Sequence, residues 1–138
     1  MQKIIWRKLF GCDVQTTIDY FKSLQQENPL FYYDIKVDDN NSAQHLFWVD
    51  GRSRMSYDYF GDVVTFDTTY MTNKYRMPFA PFVGTNHHRQ SILFGCALIR
   101  DETAPSFVWI FETFLKAMYG KHPRGIITDQ DLGMKKGN

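Results

Sequence analysis

Two short segments, residues 62–67 (DVVTFD) and residues 125–129 (GIITD), are apolar runs that each stop on an aspartate. Apolar, β-branched runs bounded by turn residues are typical of strands. Two strands that each deliver a carboxylate predict half of a metal site, since paired cations in phosphoryl transfer are held by anionic oxygens. An acid at a strand end is more often a turn or cap residue. From these residues alone, both interpretations of Asp67 and Asp129 stay open.

Length and composition indicate a folded chain. The 138 residues are 43% hydrophobic and 17% aromatic, enough for one domain with a core. The net charge of +1 gives no argument for nucleic acid, and none against it if basic residues cluster. We see neither a secretory signal nor an apolar run of bilayer length, so we expect a soluble, intracellular protein without a membrane partner.

The two cysteines, Cys12 and Cys96, lie far apart, and neither belongs to a C-x-x-C motif. This spacing does not favour a zinc site built on them. We expect free thiols in a reducing compartment.

The first half of the chain predicts a helix, a hairpin and a short helix. A helical apolar period follows Asp13, a candidate N-cap, and ends before Pro29. Two strand-like runs then flank a polar turn at residues 38–42, as in a hairpin. Ser53 is the predicted cap of the short helix, and Gly61 its stop.

The second half predicts an α/β arrangement with a mixed sheet, because three consecutive strands precede a helix that crosses to a fourth strand. The two prolines in the second of these strands favour an edge position or a strand start. Either Thr103 or Ser106 caps the helix, and Gly120 stops it. The predicted strands are residues 62–67, 78–84, 91–100 and 124–129.

Four short basic segments, RKLF, GRSR, NKYR and GKHPR, combine with nearby aromatic residues as nucleic-acid surfaces do. At this charge balance such segments are more often solvated surface. The TNHH segment at residues 85–88 could bring imidazoles to the acids or to DNA, although loop hydrogen bonding is the commoner role.

A specific resemblance runs from about residue 19 to residue 134. Its motifs are residues 25–39 (QQENPLFYYDIKVDD), the long stretch 46–99, residues 106–120 (SFVWIFETFLKAMYG) and residues 126–131 (IITDQD). The chain resembles the Mutator-like-element (MULE) transposase domain and, more closely, the plant far-red-impaired-response family. The resemblance implies an RNase H-like fold of the DDE transposase type, truncated at its C-terminus. Residues 1–60 would lead into the domain, and residues 61–138 would be a partial transposase domain.

The resemblance also implies the site. Asp67 matches the first acid of the family's triad and Asp129 the second, while the third, a glutamate, would lie beyond residue 138. These two acids are the candidate catalytic residues and divalent-cation ligands, with Mg²⁺ or Mn²⁺ as the ancestral ion. We expect no catalysis, since the third acid is missing from this chain, and no cofactor, since the family's zinc belongs to regions outside it. Arg89 stands where the family usually has glycine.

The function implied is that of a transposase-derived domain in a nuclear protein that regulates transcription. Contact with DNA would come through family regions outside this chain, and partners would include related family members in homo- or heterodimers. Two alternatives stay open. One is a fragment of an active transposase that cleaves and transfers DNA strands, and the other is a remnant that mediates protein interaction.

Overall fold

The computed structural model describes residues 14–40, 43–66, 68 and 78–128. Within these ranges the chain forms three helices and six strands. The helices are α1 (Val14–Glu27), α2 (Gly51–Phe60) and α3 (Ala104–Ala117). The strands are β1 (Tyr32–Val37), β2 (Ala43–Val49), β3 (Val63–Phe66), β4 (Phe79–Thr85), β5 (Ser91–Ile99) and β6 (Gly125–Thr128).

The six described strands form one mixed sheet in the order β1-β2-β5-β4-β3-β6. Every neighbouring pair is antiparallel except β3 and β6, which are parallel. Helix α3 makes the connection from β5 to β6, as a crossover within a sheet requires. The predicted α/β class with a mixed sheet is therefore confirmed.

Helices cover both faces of the sheet, so the middle strands are buried on both sides. On one face, Phe47 and Val49 of β2 pack in a cluster that includes α2 and α3. On the other face, Leu46 and Trp48 of the same strand pack in a cluster with Phe21 of α1. This double burial explains why β2 and β5 are continuous apolar runs rather than alternating ones.

The N-terminal elements agree with the sequence in type, but one cap differs. Helix α1 and the β1–β2 hairpin are confirmed, while the predicted cap Asp13 lies outside the described residues. The predicted cap of α2, Ser53, is wrong. Asp50 is the N-cap, because its backbone is extended and its carboxylate accepts a 2.7 Å hydrogen bond from the Ser53 N–H. Gly61 ends this helix as predicted.

Strand β4 is central, so the predicted edge position is wrong. It lies between β5 and β3, although it contains a proline. Pro78 precedes the strand, and its carbonyl accepts the Ile99 N–H at 3.1 Å. Within the described residues, β3 pairs only with Phe82 and Val83, so Pro81 faces no described β3 residue. Of the two predicted alternatives, Pro78 fits the strand start, whereas Pro81 lies inside a central strand.

The hairpin of residues 32–49 shares the sheet with the later strands, since β2 pairs with β5. The domain boundary placed at residue 61 stays a prediction. Thr103 is the N-cap of α3, and Gly120 adopts a φ of 80° in the turn that follows. None of the helices in the described ranges combines the length and apolar character needed to cross a bilayer.

Candidate functional site

The parallel pair β3–β6 ends on one edge of the sheet. Its register pairs Val63 with Gly125 and continues to Phe66 opposite Thr128. The next residues in the chain are Asp67 and Asp129, so the two acids follow directly from paired strand ends. Strands β3 and β6 are thus adjacent and parallel. Both acids lie outside the described residues, and their catalytic and metal-binding roles stay predictions.

Aromatic packing fixes the end of β3. Phe66 is fully buried, and its ring centroid lies 4.6 Å from that of Phe82 and 4.9 Å from that of Phe111. The ring of Phe107 meets it edge-on at 5.9 Å. Aromatic contacts of this kind stabilise beyond the area they bury. The end of β3 is therefore fixed by the contacts of Phe66 with three other rings.

A third acid, Glu102, lies at the same edge. Because β3 and β5 are each antiparallel to β4, they run in the same direction, and both end toward this edge. Beyond these ends, the Thr68 hydroxyl donates a 2.5 Å hydrogen bond to Glu102 Oε1. Thr68 follows Asp67 directly in the chain, so the structure brings Glu102 close to the backbone of the predicted acid. Sequence reasoning treated residues 101–106 as a helix cap and missed this residue.

The neighbouring Asp101 has a structural role at the start of α3. Its Oδ1 accepts hydrogen bonds from the Ser106 hydroxyl at 2.5 Å and the Thr103 hydroxyl at 2.7 Å. Burial alone would raise the pKa of Asp101, but these hydrogen bonds outweigh it and lower the pKa below its ordinary value. Asp101 thus holds the Thr103 and Ser106 hydroxyls at the start of the helix, whereas Glu102 accepts a hydrogen bond from Thr68.

His45 is buried beside this capping network. The ring is 1% exposed, lies 5.5 Å from the Trp109 ring and accepts the Arg100 N–H on Nδ1 at 3.4 Å. Burial lowers the pKa of His45 to about 4, against a smaller raising effect from Asp101. The imidazole is therefore neutral at pH 7 and packs as a core residue.

The histidines of the TNHH segment are far from the ends of β3 and β6. His87 and His88 lie in the β4–β5 turn, at the opposite edge from the ends of β3 and β6. The Asn86 carboxamide oxygen accepts the N–H groups of His88 and Gln90 and so closes this turn. The His87 ring meets Phe60 edge-on at 5.0 Å. The strand direction places the TNHH turn at the other end from the ends of β3 and β6, and the hydrogen bonds to Asn86 agree with the commoner role in loop hydrogen bonding.

The comparisons with known proteins bear on this same part of the chain. The family model of the MULE transposase domain matches residues 63–137, which begin at the first residue of β3 and include more than half of the chain. The chain belongs to the MULE transposase domain family. The MULE resemblance seen in the sequence is confirmed, and both predicted acids fall inside the matched range.

Curated relatives in Arabidopsis thaliana extend the match to the N-terminal elements of this MULE protein. It is 49% identical to "Protein FAR1-RELATED SEQUENCE 5" over 86% of its own length and 15% of the relative's. It is 47% identical to "Protein FAR-RED IMPAIRED RESPONSE 1" over 86% of its length and 14% of that protein's. The chain therefore spans a small part of the relatives it matches. No solved structure matches it.

Proposed function

We propose that this MULE domain serves in a nuclear protein that regulates transcription, and that it does not cut DNA. The observation that carries the proposal is the 47% identity, over 86% of the chain, to a protein named for an impaired response to far-red light. Contact with DNA would come through parts of the whole protein outside this chain, and related family members would be its dimer partners. Regulation by such a domain needs the fold but no turnover at the acids.

The fold we propose is RNase H-like. Strands β3, β4 and β5 are consecutive and antiparallel, and α3 then crosses to β6, which pairs in parallel with β3. The resulting order β5-β4-β3-β6 supports the arrangement that the transposase resemblance implies. The β1–β2 hairpin extends this sheet beyond β5.

A second candidate function is metal-dependent strand cleavage, which the Phe66–Thr128 register favours because each strand continues into an acid. Asp67 and Asp129 would hold Mg²⁺ or Mn²⁺, and carboxylate oxygens are the donors that these hard cations prefer. Glu102 adds a carboxylate at the same edge. The bound cation would supply activation of the attacking hydroxyl and stabilisation of the leaving oxygen.

The regulatory proposal can be tested with a tethered reporter. The chain is fused to a heterologous DNA-binding domain in plant protoplasts, and transcription from a promoter carrying its target sites is measured. We expect the fusion to change reporter output, and the paired variant Asp67→Asn/Asp129→Asn to change it equally. Reporter output equal to that of the DNA-binding domain alone would contradict a regulatory role for this chain.

The catalytic alternative needs its own assay. Purified chain is incubated with supercoiled and linear DNA in Mg²⁺ or Mn²⁺, beside Asp67→Asn and beside a chelator control. We expect no nicking above the level of the variant. Cleavage that requires the cation and disappears in Asp67→Asn would establish the second candidate and refute the first.

A further inference from the structure

A concave groove lies at the edge of the sheet opposite the acids. It has a volume of about 320 Å³ and is formed by helix α2, the loop before β1 and the turn after α3. A shallower groove of about 440 Å³ continues along α2 and shares Leu30, Met55 and Tyr59 with the first. Together they make one continuous surface, which we name the α2 groove.

Large apolar side chains line the α2 groove while remaining exposed to solvent. Leu30 is 46% exposed, Met55 59%, Tyr59 74% and Tyr119 76%. Single exposed apolar residues are ordinary on protein surfaces and need no explanation. Four around one concavity form a patch of the kind that marks interaction sites.

Tyr119 forms one wall of the α2 groove, and its backbone is strained. Tyr119 has a φ of 58°, a left-handed conformation that non-glycine residues rarely adopt. Its ring lies over the Arg54 guanidinium, 4.4 Å from the ring centroid. Arg54 in turn donates hydrogen bonds to the carbonyls of Ala117 at 2.7 Å and Leu30 at 2.9 Å. One arginine therefore ties together the three segments that make the groove.

Positive charge dominates the described lining. Arg52, Arg54 and Lys121 all line the α2 groove, and they come from two of the basic segments seen in the sequence, GRSR and GKHPR. The acid among the described lining residues is Asp58, which pairs with Lys121 at 3.1 Å. The surface thus complements a ligand that is apolar at its centre and acidic at its flanks.

We propose that the α2 groove binds a linear peptide segment of another protein, in which apolar anchor residues are flanked by aspartate or glutamate. Flexible and aromatic side chains such as Met55 and Tyr59 suit anchors of varied shape. This interaction goes beyond the proposed regulatory function and requires neither the acids nor a metal.

Two other occupants fit less well. The chain's own residues 1–12 carry Lys3, Arg7 and Lys8 and no acid, so their charge has the same sign as the groove. Single-stranded nucleic acid prefers open aromatic faces on which bases stack. Here one face of Tyr119 is covered by Arg54, and Leu30 and Met55 offer no ring.

The test is a selection of random peptides displayed on phage against the purified chain, followed by fluorescence anisotropy with the enriched peptides. We expect enriched sequences to combine apolar anchors with acidic residues. Met55→Glu should weaken their binding about tenfold or more, because it places an acid among the anchors. Tyr119→Gly should do the same without unfolding the chain, since glycine adopts the left-handed backbone at no steric cost.

The matched control is Val108→Glu. Val108 is 53% exposed on α3 and lies outside the lining of the groove, so this change introduces the same charge on another helix. Binding that is unchanged in Val108→Glu and lost in both groove variants supports the proposal. Peptides that bind the groove variants as well as the parent chain would overturn it. So would a failure to enrich any acidic peptide, or tighter binding of oligothymidylate that the same variants abolish.

Discussion

The two edges of the sheet are built in opposite ways. At the acid edge, Phe66 is fully buried among other rings, and Thr68, two residues further along the chain, donates a hydrogen bond to Glu102. At the opposite edge, Tyr59 and Tyr119 are exposed, and the Arg54 guanidinium lies over the Tyr119 ring. In the described part of the chain, both non-glycine residues with positive φ, Arg89 and Tyr119, lie at this second edge. An edge anchored in the core suits a fixed site, whereas an exposed apolar edge suits a partner.

The anchoring of the acid edge predicts the largest effect. Phe66→Ala should reduce the free energy of unfolding by about 3–5 kcal/mol, because it removes a fully buried ring from the core. Urea unfolding followed by circular dichroism measures this loss. Val63→Ala is the control on the same strand, since Val63 is 48% exposed and should cost about 0.5 kcal/mol or less. Equal losses for the two variants would mean that Phe66 does not anchor this edge.

The support of the groove predicts the next effect. Arg54→Ala should cost about 1–3 kcal/mol, because it leaves the Leu30 and Ala117 carbonyls without their charged donor and removes the stack on Tyr119. Arg52→Ala removes the same charge from an exposed position two residues earlier in α2 and serves as the control. Thermal unfolding compares the two. If Arg52→Ala destabilised the chain as much, net charge rather than the three-segment tie would be responsible.

The histidine beneath α3 predicts a pH effect. The folded pKa of His45, about 4, lies below its ordinary value of 6.5, so the unfolded chain binds this proton more readily. Its contribution is present above pH 6.5 and is lost progressively as the pH falls toward 4. The pKa of Asp101 is also lowered in the folded chain, so its contribution to the free energy of unfolding is lost as the pH falls further.

Urea midpoints measured between pH 7 and pH 4.5 on the parent chain and on His45→Phe check this. We expect the midpoint of the parent to fall with pH and that of His45→Phe to fall less over the same range. Parallel slopes would show that other groups, rather than the buried imidazole, determine the pH dependence.

The sequence predicted the acid edge far better than the groove. The strands that end before Asp67 and Asp129 were visible because each is a continuous local pattern with an acid at its end. The α2 groove joins residues near 30, 55 and 119, and no local period connects positions so far apart. The sequence did not predict Glu102 as a site residue for the same reason, since its hydrogen-bond partner Thr68 is 34 residues away in the chain.

The local errors have equally physical causes. Ser53 and Asp50 are both good caps, and which one serves depends on where the backbone leaves the extended region, a choice made by tertiary packing. The central position of β4 depends on its pairing with both β3 and β5, and a proline in the local sequence does not encode such long-range contacts.

The smallest predicted effect compares backbone strain at Arg89, outside the α2 groove, with backbone strain at Tyr119, which lines it. Arg89 has a φ of 62°, in a turn closed by the Asn86 side chain and by the Arg89 N–H, which donates to the Asn86 carbonyl and which glycine would keep. Arg89→Gly should therefore raise stability by up to about 1 kcal/mol, because the relief of about 1–2 kcal/mol of left-handed strain exceeds the added flexibility of the unfolded chain. This corresponds to a rise in Tm of about 4 °C, measurable by calorimetry.

Arg89→Ala, which keeps the strain, should give no gain, and Arg89→Gly should leave peptide binding at the α2 groove unchanged. Tyr119→Gly relieves the same kind of strain but should lose peptide binding. If Arg89→Gly weakened peptide binding as Tyr119→Gly does, the functional surface at this edge would extend past α2 to the β4–β5 turn.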